Sequence, residues 1–143
     1  MTNEQQKFVD HVMIDHKVEV TESSIGICIK IDSSLYLNSA TSIPDYTDII
    51  ASGNLHLNNV HSIGKGSHLW SGGTMFLDSL MLMSEDVHLN SSYINMNKLK
   101  TIPAGAKITA KVLNVPKVET ISEDAIVEAK NFNLGRKVRV TMA

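Results

Sequence analysis

Cysteine is almost missing from this chain: Cys28 stands alone among 143 residues. That excludes an intramolecular disulfide and any metal site built on a Cys-x-x-Cys pair, and it fits a reducing compartment. Aromatic residues make up 5% of the sequence, with one Trp and three Phe, and there are three prolines. So few large rings suit thin stacked layers filled by Ile, Leu, Val and Met better than one thick core. No apolar run approaches the roughly 20 residues that a membrane-spanning helix needs. The first residues (Thr2, Asn3, Glu4, Gln5, Gln6) lack the apolar stretch of a signal peptide. A cytoplasmic protein with no membrane contact is therefore the expectation. Neither charge sign dominates, since the net charge is −2. The balance is uneven along the chain, however. Residues 1–97 carry 4 Lys/Arg against 11 Asp/Glu, or −7, and residues 98–143 carry 9 against 4, or +5.

What is present is a repeated phrase. Two apolar residues stand two apart, a third follows three later, and a fourth three after that. The copies are Leu35, Leu37, Ala40, Ile43; Leu55, Leu57, Val60, Ile63; Met75, Leu77, Leu80, Met83; Ile94, Met96, Leu99, Ile102; and Leu113, Val115, Val118, Ile121. A sixth begins at Phe132 and Leu134 and breaks off. The steps between copies are 20, 20, 19, 19 and 19 residues. A period this short is below that of helical-pair repeats and falls in the range of single-strand coils. Each Leu-x-Leu start reads as one short strand with both apolar side chains inward. A further apolar residue follows about six positions on, at Ile49, Leu69, Leu89, Ile108 and roughly Ile126, to fill the opposite wall. Asn38, Asn58, Asp78 and Asn97 follow the strands and are expected to bond along the stack, a ladder that Pro116 and Gly135 interrupt. Gly53, Gly72 and Gly73 are expected to return the chain through positive φ.

The whole chain reads as one domain. Residues 1–31 form an N-terminal cap of helix and strands, 32–135 the solenoid of five to six coils, and 136–143 a C-terminal cap strand. The helix, expected over 2–17, has a capping-box pair at Thr2 and Gln5 and an apolar stripe at Phe8, Val9, Val12 and Met13, with His16 and Lys17 in its last turn. A hairpin or strand pair follows. In it Ile25, Ile27, Ile29 and Ile31 face the core, and Cys28 points away as an inert small residue. In the terminal strand Val138, Val140 and Met142 alternate with Arg136, Lys137 and Arg139. That strand either caps the stack or pairs with a second copy as a homodimer.

The segments Leu35-Tyr36-Leu37-Asn38 with Ser42-Ile43-Pro44, and Gly53 through Ile63 (GNLHLNNVHSI), resemble the short leucine-rich-repeat-like solenoids of bacterial and bacteriophage proteins. The resemblance covers about residues 18–135 and is one of period and pattern, with no catalytic motif in it. It implies an all-β-dominated, single-strand-per-coil β-solenoid, LRR-like or β-helix in cross-section. It also implies a binding scaffold, acting in the host cytoplasm if phage-encoded.

Chemistry-bearing residues are thinly spread. The histidines His11, His16, His56, His61, His68 and His88 lack a HExxH spacing and read as scattered surface groups. Asp45, Asp48, Glu85 and Asp86 read as solvated carboxylates on returns, and Gly64-Lys65-Gly66 as a turn without P-loop spacing. No residue is assigned a catalytic, cofactor or metal role, and the chain is not expected to be an enzyme. The informative residues are the outward row between the paired apolar positions: Tyr36, His56, Phe76, Asn95, Asn114 and Asn133. Beside it lie Asn54, Thr74 and Tyr93. Tyr36, His56, Phe76, Tyr93, Asn54 and Thr74 are the candidate partner-binding residues, unless the rings are covered or simply stack on one another. The expected function is non-catalytic protein binding, by an accessory protein that binds or inhibits a host protein such as a defence enzyme. Two alternatives remain open: a small carbohydrate-active or metal-dependent enzyme on a β-helix, and nucleic-acid binding through the basic C-terminal end. The pI near 6.3 weighs against nucleic acid.

Overall fold

The computed structural model describes residues 1–134 and 139–141. Parallel strands stack into a β-solenoid of about 5 turns behind a single helix, Asn3–Asp15. Where the sequence reading placed one strand in each coil, the structure places three. The first sheet stacks Ile27–Ile31, Thr47–Ala51, His68–Ser71 and His88–Asn90 onto the start of Lys107–Asn114. The second stacks Leu35–Tyr36, Leu55–His56, Thr74–Phe76 and Tyr93–Asn95 onto the end of that same strand. The third face carries two three-stranded sheets end to end, Ser42–Ile43, Ser62–Ile63 and Leu82–Met83, then Thr101–Ile102, Thr120–Ser122 and Arg139–Thr141; together these are the third sheet. Three sheets around one axis are the β-helix cross-section of the two left open. The third-sheet strands were hidden because each is mostly two residues long with one inward side chain, too short for a period of two to register.

The repeated phrase is the core. Leu35, Leu55, Met75, Ile94 and Leu113 are fully buried, as are Leu57, Leu77, Met96 and Val115 further along the same sheet. Ile49, Leu69, Leu89 and Ile108 close the coil from the first sheet. The next residue in that column is Val127, paired with Ile108, and Ile126 is 49% exposed. Each fully buried aliphatic side chain contributes about 1.5–3 kcal/mol of transfer free energy. Polar atoms inside the corners are bonded. Ser67 Oγ donates to Pro44 O at 2.8 Å and accepts from Thr47 N–H, and Ser91 Oγ donates to Gly73 O at 2.7 Å. The expected amide ladder forms only in part: Asn97 Nδ2 donates to Asp78 Oδ1 at 2.9 Å, whereas Asn38 O is met by Asn59 Nδ2 and the buried Asn58 Oδ1 has no partner among the described residues.

The glycines act differently from expectation. Gly53, Gly72 and Gly73 have ordinary φ and are needed because neighbouring coils pass too close for a Cβ. Positive φ falls instead on Tyr46, Gly66, Asp86 and Gly105, one per coil, at the turn that enters the first sheet. Gly64-Lys65-Gly66 is thus the turn that its sequence suggested.

The N-terminal end is closed as foreseen. Thr2 Oγ1 accepts from Gln5 N–H, and the Gln5 side chain accepts from Thr2 N–H, completing the capping box. Phe8, Val9 and Val12 are buried against the first coil, and Met13 is exposed. The helix ends at Asp15, so His16 and Lys17 lie beyond its last turn, His16 as an extended C-cap. Glu19–Glu22 pairs antiparallel with Ile27–Ile31 as the expected hairpin. Ile27 and Ile29 face the core, but Ile25 sits in the connecting turn and is 74% exposed. At the other end, Arg139–Thr141 runs parallel to Thr120–Ser122 as part of the third sheet. The remaining residues of the expected terminal strand, Arg136, Lys137, Val138, Met142 and Ala143, lie outside the described residues, as does Gly135. Among the described residues no helix is long and apolar enough to cross a membrane.

Candidate functional site on the second sheet

Register decides which outward side chains meet. Because Tyr36 pairs with His56 and His56 with Phe76, their rings lie one above another along the solenoid. The Tyr36 and His56 centroids are 4.3 Å apart with planes 13° from parallel, and His56 and Phe76 are 4.6 Å apart at 15°. Both are close stacked contacts, and such aromatic pairs are worth about 0.5–1.5 kcal/mol each beyond area burial. The stack remains open to solvent along one side: Tyr36 is 53% exposed, and His56 and Phe76 are half-buried. Partial burial pushes the His56 imidazole below its ordinary pKa, favouring the neutral ring.

The row continues as amides. Asn114 Nδ2 donates to Asn95 Oδ1 at 2.6 Å, and Asn133 pairs with Asn114 on the next coil. Of the three flanking candidates, Tyr93 is 49% exposed and stands beside this row, in register with Thr74. Asn54 and Thr74 serve the corner itself: Asn54 Oδ1 accepts the Thr74 N–H at 2.9 Å, and Asn54 N–H donates to Ser34 Oγ at 2.9 Å. The structure therefore brings Tyr36, His56 and Phe76 into one unit, sets Tyr93 at its edge, and gives Asn54 and Thr74 a bond between coils.

The first sheet carries a second row, which the sequence reading passed over. Cys28, Asp48, His68 and His88 occupy equivalent outward positions in four successive coils. Asp48, expected on a return, sits within the strand Thr47–Ala51. Its carboxylate lies 3.7 Å from His68 Nδ1. The His68 and His88 rings are parallel within 4° at 4.4 Å. The signal was available, since Asp48, His68 and His88 are spaced by the repeat period and each stands one residue before an inward Ile49, Leu69 or Leu89. Burial, then the His68 and Lys107 charges, push His88 below the usual histidine pKa. Stacked parallel imidazoles aim their lone pairs side by side and not at one point. Among the described residues no three His, Cys, Asp or Glu are grouped to hold a metal ion. Cys28 is raised above the ordinary thiol pKa by burial and by Asp48, which keeps it protonated and poorly nucleophilic. Trp70 and Ile50 lie beside this row, with Trp70 43% exposed.

No family model, characterised protein or solved structure matches this chain.

Proposed function

We propose that this chain is a non-catalytic scaffold that binds a protein partner through the aromatic half of the second sheet. The observation that carries the reading is the solvent-facing stack Tyr36–His56–Phe76, with Tyr93 at its edge. Its rings are immobilised before any partner arrives, because each is held by the coil above or below. Pre-ordered aromatic groups on a flat rigid surface lose little entropy on binding and make the commonest energetic anchors of interfaces. The resemblance of the repeats to solenoids of bacteria and bacteriophages extends the reading to an accessory protein that binds, and inhibits, a host protein.

The test is a pull-down from host lysate with wild type and with Tyr36→Ala/Phe76→Ala as parallel baits, read by quantitative mass spectrometry. A specific partner should be depleted on the variant by at least ~30-fold, the loss expected for removing about 2 kcal/mol of anchor contacts. The variant should still melt cooperatively, lower by roughly 2–12 °C for the two lost stacked contacts. Equal capture by both baits sinks the proposal.

A further inference from the structure

The other half of the second sheet has a different chemistry. Its three C-terminal rungs are residues 92–98, 111–117 and 130–134, reading SYINMNK, KVLNVPK and KNFNL, with no Asp or Glu among them. Leu113 pairs with Ile94 and Phe132 with Leu113, which fixes how these rungs stack. Lys111 and Lys130 fall between the paired positions Ala110↔Ala129 and Val112↔Asn131, so they stand one above the other at the edge shared with the first sheet. Lys98 and Lys117 are spaced by the same 19-residue step and stand one above the other at the opposite edge, towards the third sheet. All four are exposed, and none is in an ion pair with a described residue. Between the two lysine rows the outward floor holds Asn95, Asn97, Asn114, Asn131 and Asn133, with Tyr93 and Val112 in the column of Asn131 and with Asn97 donating to Asp78 on the adjoining rung. The four acids of this half of the chain, Glu119, Glu123, Asp124 and Glu128, all lie off this face.

We propose that this face docks the paired phosphate backbones of double-stranded nucleic acid, independently of sequence. Lys111 and Lys117 are six positions apart, so the two cation rows are at most about 20 Å apart across the floor. Three rungs span about 10 Å along the solenoid, a length over which a duplex carries roughly six phosphate charges. Lysine and asparagine are the side chains that contact phosphate oxygens in such complexes. Lysine is depleted at protein–protein interfaces, so this half does not suit the partner proposed for the aromatic half. A single strand is disfavoured for a structural reason. The ring faces of Tyr36, His56 and Phe76 are spent on one another, and the exposed rings of this half, Tyr93 and Phe132, stand in different columns two coils apart, so they form no row of platforms for successive unpaired bases. A duplex needs none.

The experiment is fluorescence anisotropy of a labelled duplex of about 20 base pairs, titrated with the full chain at several low salt concentrations. Binding should weaken with salt at a log–log slope of roughly −3 to −4, as four neutralised phosphates require. Lys111→Gln/Lys117→Gln should cut the slope by about 2, whereas Lys7→Gln/Lys17→Gln should leave it unchanged. Circular dichroism confirms that each variant is folded. The same titration is run with single-stranded oligo(dT) and with poly-L-glutamate. The proposal is overturned if the duplex gives no signal at low salt, or if both lysine pairs alter the slope equally. It is also overturned if oligo(dT) or poly-L-glutamate binds as tightly as the duplex. Tyr36→Ala/Phe76→Ala should leave duplex binding intact, which separates this outcome from that of the protein-partner test.

Discussion

His56 occupies the middle of a three-ring stack, with Tyr36 on one side and Phe76 on the other. Its pKa is lowered by burial, and that of His88 is lowered by burial and by its charged neighbours. The unfolded chain therefore takes up protons at these sites before the folded protein does. Stability rises with pH wherever the unfolded state binds more protons. The contribution of both histidines should be constant above the ordinary value of 6.5, and should be lost as pH falls from 6.5 through the lower folded values. Thermal melts of wild type should fall between pH 7 and pH 5. In His56→Phe/His88→Gln the fall should be shallower, because neither replacement titrates. An identical pH profile in the two proteins would show that neither ring is tuned by the fold.

At the scale of elements, the helix Asn3–Asp15 does a single task. Its stripe Phe8, Val9 and Val12 covers the first coil, while Gln5, 2% exposed, donates from Nε2 to Asp45 O at 2.8 Å. A helix of this length is marginal alone and is held by its packing. Phe8→Ala should therefore cost about 3 kcal/mol, the low end for burying a ring and leaving a cavity, and Thr2→Ala about 1 kcal/mol for the lost cap. Urea unfolding gives both values. A larger loss for Thr2→Ala than for Phe8→Ala would mean that local capping and not coverage of the core holds the helix. This element was plain in the sequence, because its capping box and stripe are local. Its end was misjudged by two residues, since nothing local stops the helix before His16. The third-sheet strands were not legible, as their pairing partners lie 19 or 20 residues away and their own length is two or three.

For the molecule as a whole, the near-constant step of 20, then 19, residues makes a coil exchangeable with its neighbour of the same step. Stability in such a stack is a sum of coil terms and nearest-neighbour interface terms. Excising residues 55–74, one full period, joins Asn54 to Met75 and leaves every column in register. That variant should fold, with strand content and a cooperative melt at somewhat lower temperature. Excising residues 55–64 moves inward side chains to the surface and should leave the chain unfolded by circular dichroism. If both deletions behave alike, register between coils is not what organises the fold.

The residues by themselves determined the period, the inward columns and the capping helix. Each depends on local spacing, which a 19- or 20-residue repeat states openly. The outward row Tyr36, His56 and Phe76 was also legible, because it lies between inward leucines and one methionine. What only the tertiary structure decided is which outward groups touch. Stacking sets rings 4.3 Å and 4.6 Å apart on the second sheet, His68 over His88 on the first, and lysines above lysines at two edges. Those contacts arise between coils, from hydrogen-bonded register and from corners that turn each coil into three faces. The aromatic row is thus one half of one face, and four of the nine cations beyond residue 97 edge the floor on the other half.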